Sequence, residues 1–242
     1  MNILALDTTT SACSVAVMTD EVMIGRSEVM ERGHAEALLP MIKAVLNEAS
    51  MGFPEIDALG VTVGPGAFTG LRIGLAAARG MALAAGIPCV GVTSLEAIAE
   101  AIDFEKRAGR ALLVALDSKR GDIFAQVFAA TGPPLTAPEA VSFDGLADIL
   151  PEQPVVVAGT AAAAAVECLV PRGLDVVMAA GCSSPHARDV ARVAARRYIA
   201  GETTANNPPS PLYLRSPDTG APKHRGRPKP TDTPNSGRPV KP

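Results

Sequence analysis

Several familiar chemistries lack their residues in this chain. There is no tryptophan, and two tyrosines and six phenylalanines are too few aromatic faces for a platform that stacks single-stranded nucleic acid. The three histidines, His34, His186 and His224, form neither HExxH nor HxxxH. A histidine-based metal site would therefore need long-range convergence of two of them with carboxylates. Cys13, Cys89, Cys168 and Cys182 are scattered without a CxxC pair, which fits free thiols in a reducing cytoplasm better than disulfides or a thiolate metal site. Ser14, Ser94 and Ser118 have no GxSxG elbow around them. Long apolar runs are missing too: the stretch from Leu71 to Val92 is broken by Arg72, Arg79 and Pro88, so no membrane span is expected. The opening Met-Asn-Ile-Leu-Ala-Leu-Asp has no basic n-region, and no secretory signal is expected either.

What the chain does have is apolar bulk. With 242 residues and 48% hydrophobic content it can build one large domain or two lobes with real cores. Charge is unevenly spread. Residues 216–242 hold six basic side chains against two acidic ones and seven prolines, which leaves sixteen basic against twenty-three acidic elsewhere. That tail cannot form a packed core and reads as a disordered, solvated extension, with contact to RNA or an acidic partner as the rival reading.

Three apolar or alternating runs open the chain, Asn2–Asp7, Cys13–Met18 and Glu21–Val29, and read as antiparallel strands joined by tight turns. Ala35, Leu38, Leu39, Ile42, Val45, Leu46 and Ala49 then fall on one face of a helix. Pro40 predicts a kink there or a helix that starts near it. A strand 59–63, a glycine-rich turn, a helix to Ala85, a strand Cys89–Val92 and a helix from Thr93 or Ser94 follow. The second half repeats the scheme: strands Ala111–Asp117, Ile123–Ala129 and Ala140–Phe143, a short helix Asp144–Leu150, a strand Pro154–Ala158 and an alanine helix 161–169. The order strand-strand-strand-helix-strand-helix, twice, predicts an α/β fold of two duplicated lobes facing across a cleft. The expected division is 1–103, 104–184, a helix of about 185–200 returning to the first lobe, and a C-terminal segment 201–215.

The most telling stretch is Gly64-Pro-Gly-Ala-Phe-Thr-Gly-Leu-Arg-Ile-Gly74. A buried strand meeting a glycine turn and a helix can present backbone N–H groups to an anion. No lysine follows as a P-loop requires, and Thr69 stands at the third glycine position of GxGxxG. Gly66, Gly70, Gly74, Ala78 and Ala82 instead recur every four residues and form a helical ridge almost without side chains. Interior glycines at 70 and 74 cost about 2 kcal/mol together relative to alanine. Close approach of another helix is the expected reason, either helix 35–49 or a helix of another subunit, with Phe68, Leu71 and Leu75 adding apolar surface.

A duplicated unit whose first strand ends in Asp7 and a Ser/Thr-rich hairpin resembles the actin-like ATPase superfamily. Within it, LALDTTTSACSVAV, HAEALLP, GPGAFTGLRIGLAAARG and the late Pro211-Leu-Tyr-Leu-Arg215 resemble the TsaB family. The resemblance is dense over about 1–95, thinner over 111–215 and absent from the tail. It implies a subunit without its own chemistry that pairs with a TsaD-like transferase in tRNA threonylcarbamoyladenosine synthesis, in a complex joined by a TsaE-like ATPase and tRNA. Cytoplasmic location, no cofactor, and a possible homodimer when isolated go with that expectation. The paralogue's metal-binding HxxxH has no match at Val92–Ile98, so no metal and no catalytic residue are expected. The implied partner surface is helices 35–49 and 67–83, with Leu38, Leu39, Ile42, Gly66, Phe68, Gly70, Leu71, Gly74, Leu75 and Ala78. Vestigial nucleotide-site candidates are Asp7, Thr8, Thr9, Asp117 and Gly159. The alternative is an ATP-dependent kinase or ATPase using Asp7 and Asp117, against a plainer reading in which both aspartates cap their own hairpins.

Overall fold

The computed structural model describes residues 1–181, 183–203 and 207–215, Lys106 through its backbone alone. The tail 216–242 with His224, residues 204–206 and Cys182 lie outside the described residues. The chain runs β1 (Ile3–Asp7), β2 (Ala12–Met18), β3 (Met23–Val29), α1 (His34–Glu48), β4 (Ala58–Thr62), α2 (Phe68–Ala85), β5 (Cys89–Val92), α3 (Ser94–Glu100) and a one-turn α4 (Phe104–Arg107). It continues through β6 (Ala111–Asp117), β7 (Ile123–Phe128), β8 (Glu139–Val141), β9 (Val155–Ala158), α5 (Ala162–Leu169), β10 (Val176–Met178) and α6 (Ala187–Ile199).

Among the described residues these strands form two five-stranded sheets of one topology. The first has the order β3-β2-β1-β4-β5 and the second β8-β7-β6-β9-β10. In each, three antiparallel strands continue into a parallel pair. The duplication is real, and it differs from the sequence reading by one strand: Cys89–Val92 of the first lobe is expected, whereas its second-lobe counterpart β10 is not. The fifth strand of the second lobe, β10, is only three residues long, too short to show a period.

Both sheets are buried on two faces, so their central strands are apolar throughout rather than alternating with polar residues. Successive side chains still point to opposite sides. Leu4 and Leu6 of β1 pack with Leu38, Ile42 and Val45 of α1 and Leu75 of α2. Ile3 and Ala5 face α6 through Val190, Ala191 and Ala194. A Cβ on Gly60 would lie 2.9 Å from that of Ala194, which sets how closely α6 lies on the sheet. On the second lobe, Leu95 and Ile98 of α3 cover Leu112, Val114 and Val156, while α5 covers the face of Leu113, Ala115 and Val157. The helix that ends each lobe therefore seals the other lobe's sheet. Arg107 reinforces the crossing: buried, it donates to Ile102 O, Ala99 O and Ala129 O at 3.2, 2.8 and 3.0 Å.

Local signals explain the helix ends. Thr93 and Glu96 form a reciprocal cap on α3, with Glu96 N–H on Thr93 Oγ1 and Thr93 N–H on Glu96 Oε2. Gly86 ends α2 in the left-handed region at φ 69°. Pro40 neither starts nor ends α1. The helix begins six residues earlier at His34 and runs through it. Pro40 and Glu36, whose carbonyl the missing N–H would have bonded, are both exposed residues, so the lost bond falls on the outer side of the helix. The expected helix at 144–150 is a 3-10 segment, Asp144–Ile149.

Candidate functional site

The glycine ridge has a partner, and it is not a helix. A Cβ on Gly70 would overlap the carbonyl oxygen of Thr8, one on Gly74 would stand 2.5 Å from Thr8 Oγ1, and one on Gly66 would stand 2.5 Å from Thr9 O. The Thr8 hydroxyl enters the backbone of α2. It donates to Gly70 O at 2.7 Å and accepts from Gly74 N at 3.1 Å, so one side chain serves both ends of a helical turn. Ala67 N–H donates to Thr9 O at 2.7 Å on the same side. Close approach is the reason for the glycines, as their spacing suggested, but the hairpin after β1 makes that approach. Ala78, the next residue of the ridge, is fully buried inside the lobe.

The two hairpin aspartates are equally occupied. Asp7 is fully buried, and its Oδ1 accepts from Thr9 N, Thr9 Oγ1 and Thr62 Oγ1 at 3.2, 2.6 and 2.6 Å. Its Oδ2 is buried without a partner. Burial pushes the Asp7 carboxyl above its usual range, and the Thr62 and Thr9 hydrogen bonds oppose that shift. Asp117 accepts Lys119 N–H at 2.7 Å and pairs with Lys119 Nζ at 2.9 Å; these contacts hold it below the usual carboxylate range. Gly159, at φ 104°, lets the turn pass under Ala115, whose carbonyl a Cβ there would overlap. Between the hairpins lies a cavity of about 680 Å³, whose lining includes Thr9, Arg32, Gly66, Asp117, Lys119 and Thr160. In this arrangement neither hairpin carboxylate is free to hold a metal-bound nucleotide: Asp7 is sealed from the cavity and Asp117 pairs with Lys119. His34 begins α1 with its Nε2–H on Thr10 O at 3.1 Å. Among the described residues, no three His, Cys, Asp or Glu side chains are placed to hold a metal ion.

The residues proposed for a partner surface divide. Leu38, Ile42, Gly70, Leu71, Gly74, Leu75 and Ala78 are buried within the chain, whereas Leu39, Gly66 and Phe68 are exposed. The free side of α2 carries a different ridge, Phe68, Arg72, Ala76, Gly80 and Ala84, all exposed and four residues apart, flanked by Arg79 and Leu83. Leu39 and Leu83 are 59% and 85% exposed. Gly80 is the one glycine inside α2 for which an added Cβ would meet nothing, so no contact among the described residues accounts for it. The same four-residue period runs through both ridges, and the sequence pattern drew attention to the inner one.

These lobes, cleft and crossed helices define an α/β protein of the actin-like class. A family model described as "TsaD: tRNA N6-adenosine threonylcarbamoyltransferase" matches residues 27–215, and the chain belongs to that family. Its sequence relatives there include TsaB proteins. "tRNA threonylcarbamoyladenosine biosynthesis protein TsaB" of Escherichia coli is 38% identical over 124 residues, 51% of this chain and 53% of that protein. The Haemophilus influenzae protein of the same name is 37% identical over 124 residues, 51% and 52%. The chain thus spans about half the length of these two TsaB proteins. An uncharacterized protein of Mycobacterium tuberculosis is 33% identical over 228 residues, 89% of this chain and 92% of that one. Among solved structures, "YeaZ from Pseudomonas aeruginosa" superposes with a TM-score of 0.77 at 28% identity, over 88% of this chain and 99% of that one. No helix among the described residues is long and apolar enough to cross a membrane.

Proposed function

We propose that this chain is the non-catalytic partner subunit of a TsaD-like transferase in tRNA threonylcarbamoyladenosine synthesis. The observation that carries the reading is the outer side of α2. A glycine in the middle of an exposed helix costs about 1 kcal/mol relative to alanine, and no contact among the described residues accounts for Gly80. Ala76, Ala84, Leu83 and Phe68 of α2 are exposed with it, and Leu39 of α1 is exposed as well. Such a strip suits the close crossing of a partner helix, with the small residues at the crossing and the apolar ones around it.

The non-catalytic part is supported by the engaged Asp7 and Asp117 and by Val92–Ile98, where no histidine stands. The names of the TsaB relatives supply the pathway. In this account a TsaE-like ATPase and tRNA join the paired lobes, and the setting is the cytoplasm. A homodimer through the same strip is the competing assembly for the isolated chain.

The reading is tested by size-exclusion chromatography of this chain mixed with its TsaD-like partner. Gly80→Arg and Leu83→Asp abolish co-elution while leaving circular dichroism and melting cooperativity intact. Retained heterodimer with both variants overturns the assignment of this face.

A further inference from the structure

The segment that ends the described chain touches both lobes. Pro209 packs on Gly91, where a Cβ would stand 2.8 Å from the proline. Leu212 N–H donates to Val63 O at 2.7 Å, and its side chain packs against the first-lobe core. Tyr213 lies on Phe68 with ring centroids 5.6 Å apart. Its hydroxyl accepts from Arg72 Nε at 3.2 Å, and the Arg72 guanidinium sits 3.8 Å over the Phe68 ring. Two residues later Arg215 pairs with Asp122 of the second lobe, in the turn between β6 and β7. That turn also carries Asp117, Ser118 and Lys119 of the cleft wall, and Ser118 donates to Asp122. Seven residues thus run from the base of the glycine elbow, over the first turn of α2, to the opposite rim of the cleft.

We propose that residues 209–215 are an interlobe clasp. The Arg215–Asp122 pair holds the 117–122 hairpin against the first lobe, and the Tyr213–Phe68–Arg72 stack ties that state to the outer face of α2. The geometry gives each part a separate job. Pro209 and Leu212 are the anchor, since they are held by backbone and core contacts on one lobe. Arg215 is the releasable end: its side chain is 37% exposed and Asp122's is 14% exposed, so solvent and salt reach the pair without hydrating it fully. Tyr213, between the two, is 42% exposed and stacked on a residue of the proposed pairing face. A partner that covers Phe68 also covers Tyr213. Whatever it does to the stack is felt at the ion pair two residues on, and by linkage the state of the clasp feeds back on pairing. This second half rests on the pairing reading above; the clasp itself does not.

Hydrogen exchange across residues 117–123 tests both halves. In the isolated chain, Asp122→Asn and Arg215→Gln each speed exchange of this hairpin by about two- to fivefold, the range a partly exposed ion pair supports. The double variant is no faster than either single one, and 1 M salt raises the wild-type rate toward the variants' without affecting them. Unchanged exchange in both variants, or an additive double variant, overturns the clasp. With the transferase partner at saturation, wild-type exchange at 117–123 slows further and this slowing is lost in Arg215→Gln. Pairing without slowing overturns the link to α2. A wild-type chain that does not pair at all refutes the pairing reading and leaves the isolated-chain result to judge the clasp.

Discussion

Gly70, Gly74 and Gly80 sit in one helix, yet alanine at each is expected to act differently. At Gly80 the new Cβ meets nothing, so Gly80→Ala gains the full difference in helix propensity, about 1 kcal/mol. At Gly74 the same gain is set against a Cβ 2.5 Å from Thr8 Oγ1. The hydroxyl must leave, and the two hydrogen bonds it makes to Gly70 O and Gly74 N are worth about 1 kcal/mol each. With crowding of about 1–3 kcal/mol, Gly74→Ala is destabilising by about 2–4 kcal/mol net. At Gly70 the Cβ overlaps the Thr8 carbonyl oxygen. Backbone cannot rotate away, so the hairpin or the helix must shift and the loss reaches about 3 kcal/mol or more. Urea denaturation of the wild type and the three variants, at constant m-value, reads these numbers directly. If Gly70→Ala were as stable as Gly80→Ala, the claim that the inner ridge serves the Thr8 hairpin would be wrong.

Thr8→Val keeps the shape but removes the hydroxyl's two hydrogen bonds to Gly70 O and Gly74 N–H, groups that fall back on their own helical bond, and the same denaturation assay should show a loss of about 1–2 kcal/mol. His186 caps α6 by accepting Arg188 N–H on Nδ1 at 3.0 Å; burial, then Arg188 and Arg192, hold it below its usual 6.5. Because the folded chain binds that proton less readily, stability is retained above 6.5 and lost as pH falls below it. Denaturation of His186→Asn across pH 5 to 8 lacks this dependence, and an unchanged pH profile contradicts the cap. Burial pushes the Cys13 thiol to about 11 and the Cys89 thiol to about 12. Native-state iodoacetamide labelling at pH 8, mapped by mass spectrometry, therefore leaves both unmodified, and rapid labelling of either would show that its sheet opens.

Much of the fold was legible because it rests on local pattern. Apolar runs ending in Asp7 and Asp117, the alanine helix after Gly159 and the Thr93–Glu96 cap each announce themselves over a few residues. The duplication followed from their order. What stayed hidden depends on contacts distant in sequence. Nothing in Leu-Asp-Thr-Thr indicates that Thr8 reaches sixty-two residues on to Gly70. Spacing alone identified a ridge that needs close approach but not what approaches it. The outer ridge through Ala76 and Gly80 lies in the same helix, but its single glycine is a weaker signal than the three at 66, 70 and 74. The one signal that could have separated them is the arginines: Arg72 and Arg79 must face water, which turns Ala76 and Gly80 outward and Gly74 and Ala78 inward. Likewise Pro211–Arg215 stood out as a motif, while its second-lobe partner, Asp122, could come only from the tertiary arrangement.

If this chain supports tRNA threonylcarbamoyladenosine synthesis by presenting the outer face of α2 to a transferase, the amount of that nucleoside in tRNA depends on that face. It is measured by liquid chromatography and mass spectrometry after depletion of the chain and re-supply of either wild type or Gly80→Arg. The expected result is loss on depletion, recovery with wild type, and no recovery with a stably folded Gly80→Arg. Unchanged modification after depletion, or full recovery with Gly80→Arg, would contradict it.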